Sequence, residues 1–110
     1  ANLTVDSPTG LRLRNSQLTF PVTTKTSAYT ATYFDQVILV DATSGGVTIT
    51  LPTATGRTDP ITVKKIDSSG NAVTVDGNAS ETIDGATTKN LAAQWDSMTL
   101  IPSGGNWFMV

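Results

Sequence analysis

Residues 41–46, Asp-Ala-Thr-Ser-Gly-Gly, join two apolar runs at 36–40 and 47–51. A serine in a glycine-rich loop raises two chemistries, a phosphate cradle and an activated nucleophile. A cradle aims successive backbone N–H groups at the anion, and its common forms place the loop before a helix N-terminus. Here a strand-like run follows, and Val47 stands where the Walker pattern needs lysine. The nucleophile elbow Gly-x-Ser-x-Gly does not match either, and the element after the turn is again wrong for it. The sequence therefore predicts a hairpin, with Gly45 and Gly46 supplying positive φ and Asp41 or Thr43 bonding local backbone.

Other polar clusters give partial signals. Asp76, Asn78 and Ser80 echo the first ligands of a calcium loop, but Glu81 occupies the position that needs glycine, and Thr87 the one that needs glutamate. The carboxylates at Asp35, Asp41, Asp59, Asp67, Asp76, Glu81, Asp84 and Asp96 fall in or beside turn-like segments, where aspartate bonds its own backbone. No spacing among them selects the acid and nucleophile of a glycoside hydrolase. The chain has no histidine and no cysteine, which removes the commonest general base, the commonest metal ligand and every thiolate site. The reading is that of a non-enzymatic chain without a cofactor or metal.

Aromatic and basic residues are few. Trp95 and Trp107 read as core residues of a small β-fold, with an exposed stacking platform for sugar or base as the alternative. Arg12 and Arg14 alternate with Leu11 and Leu13, so both point to one side of an extended strand. That fits a charged edge strand or a partner contact. A net charge of −2 provides no electrostatic footprint for nucleic acid or an anionic membrane. No apolar run approaches the roughly 18 residues of a membrane span.

These groups are carried by a chain of 110 residues, which fits one domain. A fold of this size removes roughly 65% of the unfolded surface from water, so its core is thin and assembly with other chains would extend it. Charged residues are only 15%, and threonine, the commonest residue, takes much of their place. Its branched side chain suits a pleated surface. Period-2 alternation recurs at 11–14, 47–51, 61–66, 72–76 and 97–101, separated by turn signals such as DSSGN, IDGATT and PSGGN. Residues 89–95, KNLAAQW, allow at most one helical turn, and no fixed-period repeat is visible. The expected fold is all-β, an antiparallel β-sandwich or barrel of about 8 short strands. Residues 1–22, with two prolines and two of the three arginines, read as an extended N-terminal arm or edge region ahead of a β-module at 23–110. Ala1 fits a chain that has lost an initiator methionine, which suggests a complete small protein.

The runs LVDATSGGVTITLP, ITVKKIDSSGNAVTVDGNASETIDGATT and MTLIPSGGNWFMV together resemble a β-structured module of tailed-bacteriophage virion proteins, of the capsid decoration, head fibre and tail fibre type. The resemblance covers the C-terminal two-thirds and implies a structural or adhesive role, commonly as a homotrimer. On that footing the expectation is a capsid decoration (cement) protein located in the virion, assembled in the host cytoplasm. It would bind the major capsid protein or another virion protein on the outer head surface through its N-terminal arm, with Leu3, Val5, Leu11, Arg12, Leu13 and Arg14 as contact residues. The alternative is a tail- or head-fibre adhesion module that binds host surface glycan.

Overall fold

The computed structural model describes residues 20–110. They form nine strands: β1 (Val22–Lys25), β2 (Tyr29–Thr30), β3 (Val37–Val40), β4 (Val47–Thr50), β5 (Ile61–Lys65), β6 (Val73–Asp76), β7 (Thr88–Leu91), β8 (Ser97–Ser103) and β9 (Asn106–Met109). One sheet has the order β1-β3-β5-β8-β9 and the other β2-β4-β6-β7. The all-β reading holds, and the alternating segments at 47–51, 61–66, 72–76 and 97–101 all contain strands.

The pairing is mixed rather than antiparallel throughout. β1, β3 and β5 run parallel in one sheet, and β2, β4 and β6 run parallel in the other. Successive strands thus alternate between sheets, and each pair of strands adds one coil to a short solenoid. The chain turns back only afterwards, where β7, β8 and β9 join as antiparallel strands. The coils are a structural repeat without a fixed period: Val22, Val37 and Thr62 stand side by side, 15 and then 25 residues apart. That irregularity hides the repeat in the sequence.

The 41–46 loop is consequently not a hairpin, because β3 and β4 lie in different sheets. It is an arch that stacks on the next arch of the solenoid. Val47 N–H donates to the Ala72 carbonyl at 3.2 Å, and Asn71 Nδ2 donates to the Ala42 carbonyl at 2.8 Å. Only Gly45 of the two glycines has a positive φ, +151°. Asp41 does close a local turn, its Oδ1 accepting the Thr43 N–H at 3.0 Å. The two-residue hairpin appears instead at Gly104 and Gly105, with φ of +60° and +80°, between the paired residues Ser103 and Asn106.

The core lies between the sheets. Ile38, Val40, Val63, Met98 and Leu100 face it from the first sheet, and Val47, Ile49, Val73, Val75 and Leu91 from the second. Trp107 is fully buried, as the sequence suggests, and each large apolar side chain so placed contributes roughly 1.5–3 kcal/mol. The outer face of the second sheet carries the threonines in register, Thr48 beside Thr74 and Thr30 beside Thr50. Residues 89–91 belong to β7, and no helix forms among the described residues, because Leu91 is needed by the core opposite Val73.

Trp95 departs from the core reading. It is 59% exposed, on the turn before β8. Val22, the last residue of the expected arm or edge region, is the first residue of the outer strand β1, and residues 1–19 of that region lie outside the described residues.

Candidate functional site

The contact residues expected from sequence, Leu3, Val5, Leu11, Arg12, Leu13 and Arg14, lie outside the described residues. The described residues begin at the end of the solenoid that carries β1 and β2. β1 and β2 are the outermost strands of their sheets there, and neither has a second strand partner among the described residues. The outer strand of a sheet is where a further strand can pair with the backbone.

Large apolar side chains gather in the same part of the chain. Phe20, Val22, Tyr33 and Phe34 are exposed by 57%, 61%, 59% and 71%. Tyr33 and Phe34 meet edge to face, with ring centroids 5.6 Å apart. Their loop, between β2 and β3, is held from beneath by Arg57. The guanidinium donates to the Tyr33 carbonyl at 2.6 Å through Nη1, to the Asp35 carbonyl at 2.8 Å through Nη2 and to the Asp59 carbonyl at 3.1 Å through Nε. Burial lowers the pKa of this guanidinium, while the nearby Asp59, Tyr33 and Asp35 work in the opposite direction. Sequence reading passed over Arg57, because nothing in TGRTDP separates a tie to a distant loop from an ordinary turn residue.

Asp35 caps the same loop. Its Oδ2 accepts the Thr32 N–H at 2.7 Å, the Thr32 hydroxyl at 3.1 Å and the Tyr29 hydroxyl at 2.6 Å. Burial pushes this carboxyl up, but the Thr32 amide, the Tyr29 and Thr32 hydroxyls and the charge of Lys25 outweigh it and leave the pKa lowered. The bond to Asp35 raises the Tyr29 pKa. Lys25 lies over the Tyr29 ring, 3.9 Å from its centroid, so the core at this end is closed by a tyrosine and an ammonium.

Charged side chains tie the arches together on both sides of the solenoid. Beneath the 41–46 arch, Lys65 and Asp67 form a buried ion pair at 2.7 Å. Asp67 also accepts the Ala42 N–H at 2.7 Å, the Ser69 N–H at 3.0 Å and the Ser69 hydroxyl. Burial raises the Asp67 carboxyl, but the Lys65 and Ser69 side chains together with the two amides hold it well below the usual carboxylate range. On the opposite side, Glu81 accepts the Thr53 hydroxyl and the Ala54 N–H, each at 2.8 Å.

The chemistry considered for these carboxylates finds structural use. Asp35, Asp41, Asp67, Glu81, Asp84 and Asp96 each accept a backbone N–H. The calcium-like segment lies in the long loop of the antiparallel β6–β7 pair, and no group of three acidic, histidine or cysteine side chains gathers among the described residues. No pocket indents the described surface. Ser44 is exposed at the tip of its arch. The arrangement can brace backbone and present an edge with aromatic side chains beside it. No protein-family model and no curated protein matches this chain.

Proposed function

We propose that this chain is a non-enzymatic structural protein of a virion, a small capsid decoration protein. It binds the outer surface of the head as a homotrimer through its N-terminal arm, and the major capsid protein or another virion protein is its partner. The observation that carries the reading is the end of the solenoid at β1 and β2. Among the described residues these two outer strands have one strand neighbour each, with Phe20 and Val22 exposed at β1 and Tyr33 and Phe34 exposed on the β2–β3 loop that Arg57 braces. Such an end suits main-chain pairing and apolar contact with another protein surface. The phage-like run through residues 39–52 and 61–107 and the alternating Leu11, Arg12, Leu13 and Arg14 supply the context. The partner contact then needs no reaction centre. A chain lacking residues 1–15 should lose binding to undecorated capsids in a co-sedimentation assay. Undiminished binding would remove the arm from the mechanism.

A further inference from the structure

We propose that Trp95 is a ligand platform whose indole stacks on one face of a pyranose ring, making the turn between β7 and β8 a carbohydrate site. Trp95 has a φ of +73°. That left-handed backbone is unfavourable for a bulky L-residue and free for glycine. The indole, 59% exposed, takes no part in the core that would offset the strain. Glycine would therefore fold here with less strain, and the tryptophan is held for what it presents to solvent.

The backbone beneath it is fixed from several directions. Trp95 N–H donates to the Lys65 carbonyl at 2.8 Å, and Lys64 Nζ donates to the Trp95 carbonyl at 2.9 Å. Asp96 closes the turn, its carboxylate accepting the Ala93 N–H at 2.9 Å and its own N–H donating to the Ala93 carbonyl at 3.1 Å. Gln94 Nε2 reaches the Ile66 carbonyl at 3.3 Å. A large aromatic on so constrained a turn loses little freedom on binding.

Its polar neighbours select the ligand class. The Lys64 ammonium lies 5.9 Å from the ring centroid, and the exposed Gln94 and Asp96 flank Trp95 in the chain. A sugar offers a C–H face to the indole and hydroxyls to the ammonium beside it. A nucleobase would also stack, but its phosphates need a basic surround. Here Asp96 adjoins the tryptophan and the chain's net charge is −2. The platform is formed by β5 and the β7–β8 turn and shares no residue with β1 or β2, so it stands apart from the arm-mediated contact.

The test is affinity electrophoresis of the full chain in native gels containing dextran, mannan or galactomannan, with tryptophan emission followed during titration of the soluble oligosaccharides. The buried Trp107 provides a constant background. Retardation by at least one polysaccharide and a matching emission change are expected. Trp95→Gly and Trp95→Ala should weaken binding about tenfold or more, while Trp95→Gly melts at or above the wild-type temperature. The proposal is overturned by no retardation and no emission change with all three polysaccharides, or by retardation that survives Trp95→Gly. It is equally overturned if Trp95→Gly lowers the melting temperature or the oligomer mass, which would assign the indole to folding or to a contact between copies.

Discussion

Replacing Gly77 with alanine would place a methyl carbon 2.2 Å from the Glu81 carbonyl oxygen and 2.9 Å from the Glu81 carbonyl carbon. Both are backbone atoms, so no side-chain rotation relieves the overlap. Restoring ordinary van der Waals contact requires a retreat of about 1 Å. The retreat is resisted because the Glu81 carboxylate holds the Thr53 hydroxyl and the Ala54 N–H of the preceding arch. Overpacking alone costs about 1–3 kcal/mol, and straining two half-exposed charge-assisted bonds adds ~1 kcal/mol. A total of about 3 kcal/mol lowers the melting temperature by roughly 12–24 °C in a domain of this size.

Thermal unfolding followed by circular dichroism would measure this in the wild type, Gly77→Ala, Glu81→Ala and the double variant. Removing the Glu81 carboxylate frees the arch to move, so Gly77→Ala should cost ~1 kcal/mol less in that background. A Gly77→Ala chain within about 0.5 kcal/mol of wild type would refute the clash. Additive single and double values would refute the claim that Glu81 is what resists the movement.

Two further outcomes follow from the buried ion pair and the capped carboxylates. Asp67→Ala leaves the Lys65 ammonium in the core with only the Ser69 hydroxyl at 3.4 Å, whereas Lys65→Met leaves Asp67 with the Ala42 and Ser69 donors. Calorimetry should therefore find Asp67→Ala melting below Lys65→Met, and the reverse order would contradict this assignment of donors. Asp35, Asp41 and Asp67 have lowered pKa values in the fold, so on acidification the unfolded chain takes up protons first. Their stabilisation is complete above about pH 4 and is lost progressively as the pH falls toward 2 and below. Asp67→Asn should flatten the dependence of melting temperature on pH across that window.

The strands that alternate cleanly were legible because half-burial imposes period 2: in β4 and β6 the apolar side chains face the core and the threonines face water. β1, β2, β7 and β9 were harder to read. In β1 the residues Thr23 and Thr24 replace apolar ones at an edge, and in β7 only Leu91 is buried. Strand direction was not legible at all. A parallel coil and an antiparallel hairpin need the same alternation, and they differ only in which sheet receives the next strand. In the 41–46 arch that choice rests on Asp67, 25 residues from the Ala42 N–H it accepts, and on Asn71. Arg57 and Glu81 act over similar separations, so each looked like an ordinary turn residue in its own segment. Trp95 was misjudged because tryptophan is usually buried, and a left-handed backbone leaves no mark in the residues around it.

The direction of the coils also makes the two edges of the first sheet unlike. At the far edge of the first sheet, β9 is covered by the β6–β7 loop: Trp107 N–H donates to the Thr82 carbonyl at 2.8 Å, and Asp84 N–H donates to the Trp107 carbonyl at 3.1 Å. At the opposite edge, no described residue covers β1 in this way. Among the described residues the two edges of the sheet therefore differ, and β1 is the edge at which a further strand could pair. Specificity at that place rests on side chains rather than on the backbone pairs, which any extended segment can form. The chemistry offered beside β1 is aromatic and apolar, from Phe20, Val22, Tyr33 and Phe34. A segment with large apolar residues on one face and charge on the other meets both demands, burying the first against this patch and keeping the second in water. Arg57 would make such a contact selective, because a loop held through its Tyr33 and Asp35 carbonyls resists reshaping around a poorly matched surface.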